Sequence, residues 1–125
     1  MTRFLMDANS AIYAMSGDFD FMRERIESFE PGEIAFSVIS YAEVAYGTYV
    51  GKPPSPEVLE AFVSVIPLIP FDEAAAREYA KLPFKRARFD RLLAAHALSI
   101  GAVIVTNNEA DFADVPGLQV ENWTV

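Results

Sequence analysis

The chain of 125 residues has no cysteine and a single histidine. The first absence excludes disulfide scaffolds, thiol nucleophiles and cysteine-ligated zinc or iron–sulfur centres. The second excludes metal sites built from several imidazoles and acid–base chemistry by a pair of histidines. No apolar run approaches the roughly 18 residues that a membrane span requires, so no membrane crossing is expected. The first apolar run ends at Asp7, too soon for the core of a secretory leader. The lack of cysteine fits a reducing compartment, and the expected location is cytoplasmic. The chemical tools that remain are carboxylates: 18 Asp and Glu stand against 10 Lys and Arg, a formal net charge of −8. Taken over the whole chain, that balance argues against a polyanionic partner. With 52% hydrophobic and 22% charged residues, the composition is globular rather than disordered. The length suits one domain, spanning 1–125.

Short unbroken apolar runs alternate with longer amphipathic ones. Strands are expected over 2–6, 34–38, 68–71, 102–106 and near 118–121. Helices are expected over 8–16, 19–29, 41–50, 56–66, 73–82 and 90–100, with Ser40 preceding the third. Gly51 and Pro53-Pro54 close the third helix, and Ser55-Pro56 opens the fourth with a cap residue and a proline in its first turn. The strand at 68–71 lies among prolines, which favours a sheet edge. Strands that are apolar throughout are covered on both faces. The reading is therefore α/β: a three-layer α/β/α sandwich around a mostly parallel sheet of four or five strands. In such sheets function gathers at the carboxyl ends of the strands, near the point where strand order reverses.

That rule gives meaning to the acids. Asp7 ends the first strand, Glu43 lies one helical turn past the second, Asp90 heads the helix before the fourth, and Asp111 follows the fourth by five residues. Four carboxylates gathered at one edge would repel one another. A hard divalent cation, Mg²⁺ or Mn²⁺, relieves that repulsion, activates water and holds a phosphodiester oxygen. Each acid also has a plain structural reading. Asp7 could cap the helix after it, and Ser40-x-x-Glu43 spells a capping box. Asp90 could be a first-turn acid, and Asp111 could sit in an ordinary polar turn. Thr106-Asn107-Asn108 follows a strand and offers hydroxyl and amide groups to the same edge, or else forms a simple turn. His96 lies about 240° around its helix from Asp90, which makes it a packed interior or interface residue. Ala42, Tyr46 and Tyr49 recur on the helix of Glu43, as core or as an apolar face for a partner.

The basic residues are bunched. Six of the 10 are Arg77, Lys81, Lys85, Arg86, Arg88 and Arg91, and no Lys or Arg follows Arg91. Lys85, Arg86, Arg88 and Arg91 crowd beside Asp90 and form a candidate contact for a phosphate-backed substrate, unless they are only a solvated charge run. A phosphoacceptor receiver domain also places an Asp at a strand end, but it requires an early acidic pair and a Lys after a late strand, and none follows Lys85.

Taken together, the motifs resemble a known family. An early Asp after an apolar strand, Ser40-x-x-Glu43, Asp90-Arg91-Leu92-Leu93-Ala94-Ala95-His96-Ala97, Val105-Thr106-Asn107-Asn108, Asp111-Phe112, Val115-Pro116-Gly117-Leu118 and Glu121-Asn122-Trp123-Thr124 look like a PIN domain. Within that family the chain is most similar to the VapC toxins of bacterial type II toxin–antitoxin pairs. The resemblance implies an endoribonuclease whose Mg²⁺ or Mn²⁺ is held by Asp7, Glu43, Asp90 and Asp111. It implies that Asn9 and Thr106 also line the site. It implies a homodimer silenced by a cognate VapB-like antitoxin, whose tail places an arginine among the acids. Ala8 stands where many relatives have a hydroxyl residue, Phe89 where many have Asn, and the stretch between Leu82 and Asp90 is short and basic. The alternatives are a non-catalytic PIN-fold binding module and a PIN nuclease outside toxin–antitoxin systems.

Overall fold

The computed structural model describes residues 2–83 and 88–124, with the backbone only of Arg88. Five strands form one sheet: β1 (Phe4–Met6), β2 (Ile34–Ser37), β3 (Leu68–Ile69), β4 (Val103–Val105) and β5 (Val120–Glu121). Their order is β3-β2-β1-β4-β5, and all four pairings are parallel. Of the four or five strands expected, the structure has five. The proline-flanked strand is at the edge, as its composition implied, but is only two residues long.

The register explains the layers. Phe4 lies opposite Ile34 and Val103, Leu5 opposite Ala35 and Ile104, and Met6 opposite Phe36 and Val105. Side chains alternate between faces along a strand. Phe4, Met6, Ile34, Phe36 and Val105 therefore fill one core, while Leu5, Ala35 and Ile104 fill another. The first core is covered by α1 (Ala8–Ser16), α2 (Asp20–Glu27), α3 (Val38–Tyr49) and α4 (Pro56–Val65). The second is covered by α6 (Arg88–Ile100), against which α5 (Glu73–Ala80) packs. Ala94 and Ala97 of α6 are fully buried in that second core; their short side chains let the helix lie close to the sheet. The chain walks from β1 to β3 in one direction and then jumps back across β1 to β4. Right-handed crossovers place the helices of those two walks on opposite faces. Among the described residues, no helix is long and apolar enough to cross a membrane.

The C-terminal segment returns to the first core. Trp123 is buried, edge-on to Phe4 at 5.1 Å and parallel to Phe29 at 6.1 Å between ring centroids. Its indole N–H donates to Glu121 Oε1 at 2.9 Å, and the same oxygen accepts from Arg25 Nη2 at 2.9 Å. The Arg25 guanidinium lies 5.1 Å from the Trp123 ring centroid, a cation–π contact that seals the end of the core. Trp123→Ala is expected to cost about 3–5 kcal/mol, measured by urea denaturation. A loss below about 1 kcal/mol would mean that the last residues do not close this core in solution.

Candidate functional site

Strand order reverses between β1 and β4, so the carboxyl ends of those strands border the crevice where ligands bind in open α/β sheets. Asp7 follows β1 and Thr106 follows β4. The Asp7 amide donates to Val105 O at 3.0 Å, which extends the ladder to the rim. The Asp7 carboxylate caps α1 by accepting from the Ser10 amide at 2.8 Å and is also hydrogen-bonded by the Thr106 hydroxyl. The capping and site readings of Asp7 are therefore not exclusive. Thr106 is fully buried, and its oxygen accepts the Asn108 amide at 3.0 Å, so this side chain serves to orient Asp7. Asn9 sits in the first turn of α1 with its side chain exposed.

Glu43 is in the second turn of α3. The capping-box spelling does not describe this helix: α3 starts at Val38 and is capped by Ser37, whose hydroxyl accepts from the Ile39 amide at 3.0 Å. Ser40 lies inside the helix, buried, with its hydroxyl unpartnered. Glu43 is thus released from any capping role. Asp90 lies in the first turn of α6. Asp111 lies in a 3-10 turn, Glu109–Phe112, and accepts from the Asn108 side-chain amide at 2.5 Å.

The electrostatics show that these acids face one another. Burial raises the Asp7 carboxyl above its usual range, the hydrogen bonds from Thr106 and Ser10 pull it back, and Asp111 adds repulsion. Glu43 is raised by burial and then by Asp90 and Asp7. Asp90 is raised by burial and then by Asp111 and Asp7, with Arg91 opposing. Among the described residues, no three carboxylates or imidazoles are drawn tightly enough to form a closed metal cage. The donor set is nonetheless oxygen-only and anionic. It fits Mg²⁺ or Mn²⁺, which keep several waters and take only one or two carboxylates directly.

The basic residues divide. Arg91 does not face solvent as a backbone contact would require. It is 2% exposed, and its Nη2 donates to both carboxylate oxygens of Asp114 at 2.7 and 2.8 Å. The expected RNA contact at Arg91 is therefore corrected: a guanidinium buried against its own protein cannot reach a phosphate. Lys85 and Arg86 lie outside the described residues, as does the side chain of Arg88. His96 is interior, as its helical position implied. Its Nδ1 lies 2.8 Å from the Ser37 hydroxyl, its ring hydrogen-bonds the Pro70 carbonyl, and Phe71 meets it edge-on. Burial lowers its pKa, so it is held neutral.

Two features escaped the sequence reading. One is the Arg91–Asp114 pair, which joins residues 23 positions apart. The other is an apolar cleft of about 350 Å³ between α1, α2 and α4, lined by Tyr13, Met15, Met22, Ile26, Phe62 and Val65 among others. On another part of the surface Tyr46 and Tyr49 of α3 are 70% and 88% exposed, beside exposed Val50; the tyrosine stripe is surface, not core.

A family model described as PIN domain matches residues 4–118. The tRNA(fMet)-specific endonuclease VapC of Shigella flexneri is 33% identical, over 99% of this chain and 100% of that protein. Its namesake from Salmonella typhimurium is 30% identical, over 98% and 99%. Among solved structures, the chain resembles DNA-bound VapBC from Salmonella typhimurium, with a TM-score of 0.83 and 29% identity over 98% of this chain and 99% of that one. It also resembles VapBC2 from Rickettsia felis bound to a promoter DNA fragment, with a TM-score of 0.82 and 27% identity over 98% and 99%.

A carboxyl whose pKa is higher folded than unfolded holds its proton more tightly in the folded state. Its contribution to stability is then greatest where both states are protonated and declines as pH rises through that interval. Asp7→Asn keeps a capping oxygen and removes the charge. In EDTA at neutral pH it is expected to raise the thermal midpoint, with the gain shrinking as pH falls through the raised folded value and gone below about 4. A variant less stable than its parent at neutral pH would mean that the hydrogen bonds to the Asp7 charge outweigh its burial.

Proposed function

The chain belongs to the PIN domain family and, within it, to the VapC ribonucleases, and we propose that it is the toxin of a type II toxin–antitoxin pair, a divalent-metal-dependent endoribonuclease. The observation that carries the reading is the convergence of Asp7, Glu43, Asp90 and Asp111 at the reversal point of the sheet, each raised acid sensing others of the set. These four residues would hold Mg²⁺ or Mn²⁺. Bound there, the cation would supply a Lewis acid that polarises an RNA phosphodiester and acidifies water for attack on it.

The rest is done by the chain's own groups. Thr106 and the Ser10 amide fix the direction of the Asp7 carboxylate. The exposed Asn9 amide stands at the rim, where it can hydrogen-bond a phosphate or ribose. Uncompensated, the four acids repel RNA, so cation loading precedes productive RNA binding. Lys85, Arg86 and Arg88 precede or open α6 in sequence, next to Asp90. They supply the positive charge that draws the backbone in. Two relatives at 30% and 33% identity are named as tRNA(fMet)-specific endonucleases, so that tRNA is the first substrate to test.

The solved relatives are VapBC complexes, and a cognate VapB-like antitoxin is the expected partner. The cleft between α1, α2 and α4 suits an apolar helix of such a partner, and the acids suit a basic side chain at its end. The exposed Tyr46, Tyr49 and Val50 face suits a second copy of the chain in a homodimer. A cytoplasmic location follows from an RNA substrate. The reading covers residues 1–125 as one PIN domain.

Glu43→Gln and Asp90→Asn are each expected to lower kcat on RNA by about 100-fold or more, with unchanged circular dichroism. EDTA should do the same to the parent protein. Undiminished cleavage by either variant, or in EDTA, removes the carboxylate site. With Arg91 withdrawn, three basic side chains remain for single-stranded RNA. The logarithm of affinity should therefore fall with the logarithm of salt at a slope of about −2, read from filter-binding titrations. Affinity indifferent to salt removes the basic segment from the substrate path.

A further inference from the structure

Arg91 is an expensive residue where it stands. Its side chain is 3% exposed, Nη1 is buried with no hydrogen-bond partner, and the charge is met through Nη2 at Asp114. Burying a guanidinium with an unsatisfied nitrogen costs free energy that an apolar side chain of similar volume avoids. Pure stability therefore does not explain the choice. Its place in the fold offers a reason. Arg91 is the neighbour of Asp90 in the first turn of α6, and Asp114 lies three residues beyond Asp111, just past the Glu109–Phe112 turn. Asp90 and Asp111 repel each other. The two elements that carry them are drawn together by opposite charges one and three positions further along the chain.

We propose that the Arg91–Asp114 ion pair is a positioning clamp, which fixes the first turn of α6 to the segment after the Glu109–Phe112 turn and so sets the spacing of Asp90 and Asp111 for a divalent cation. The clamp rests on the assignment of that site as the nuclease centre. Its sign is distinctive. Acting only as a charge through space, Arg91 would oppose a cation, and its removal would tighten binding. As a clamp, its removal loosens binding.

The test is Mn²⁺ titration of the full chain by calorimetry, with RNA cleavage kinetics alongside. Arg91→Met, similar in volume and uncharged, is expected to fold, to bind Mn²⁺ at least tenfold more weakly and, at saturating Mn²⁺, to lose kcat while KM for RNA holds. Arg91→Lys is expected to recover most of the affinity, because both bonds to Asp114 come from one nitrogen. Unchanged or tighter Mn²⁺ binding by Arg91→Met overturns the clamp, as does a rise in KM alone. If Arg91→Met does not fold, Asp114→Ala decides, since the Asp114 side chain is 41% exposed and its loss leaves no buried cavity. A loss of Mn²⁺ affinity that persists in about 1 M salt, where the Debye length is about 3 Å, supports the clamp, and one that vanishes there overturns it. Parent protein that binds no Mn²⁺ overturns the nuclease-site assignment itself; parent and Arg91→Met binding alike overturns only the clamp.

Discussion

Parallel pairing is the constraint on which the rest of this molecule depends. Parallel strands cannot be joined by tight turns, so each strand must leave its carboxyl end through a helix or long loop and return to the opposite edge. Here that rule applies to every pairing in the sheet. It places the start of α1 after β1, the start of α3 after β2, and the Glu109–Phe112 turn after β4, all on one rim. Helix α6 runs back toward β4, so its first turn belongs to the same rim. Asp7, Glu43, Asp90 and Asp111 are separated by up to 104 residues in sequence, yet each sits at or near the beginning of a helical element that this constraint delivers to one place.

Gathering like charges costs energy, and the fold offsets the cost locally. Asp7 accepts a helix amide and the Thr106 hydroxyl; Asp90 lies in a first turn, where the helix dipole favours an anion. The remaining repulsion is contained by α6, which is held at three points. Arg91 meets Asp114 near its start. Ala94 and Ala97 press on the sheet in the middle. His96 ties it to the Ser37 hydroxyl and the Pro70 carbonyl. Ser37 is also the cap of α3, the helix of Glu43. The neutral imidazole therefore joins the helix of Asp90 to the start of the helix of Glu43 through a single hydroxyl.

How much of this was legible depends on the range of the interaction concerned. The apolar runs at Phe4–Met6, Ile34–Ser37 and Val103–Val105 identify buried strands because burial on both faces is written into each short segment. The acids at their ends are legible for the same reason. The cap of α3 was misread because the sequence offers two serines, Ser37 and Ser40, and only the second has a Glu three residues on. Local spelling favoured Ser40, whereas the β2 pairing ends at Ser37 and turns the chain there. Arg91 was misread for a deeper reason. Its neighbours in sequence are basic and suggest a solvated run, but the helical phase that buries Ala94 and Ala95 also turns Arg91 inward, and its partner is 23 residues away. Charge density along a sequence says nothing of which charge is already answered.

The same point applies to the net charge of −8. Half of it resides in the four rim acids, and one of the 10 basic residues is consumed internally by Asp114. Neither fact is visible in the total. What the protein offers a partner is instead two unlike surfaces joined by one element. Tyr13 of α1 lines the apolar cleft, its hydroxyl accepts from the Asn107 side chain at 3.2 Å beside β4, and Asp7 caps the same helix from the rim. The nine residues of α1 are thus both a wall of the cleft and the support of the first carboxylate. Anything seated in the cleft would bear on the element that aims Asp7.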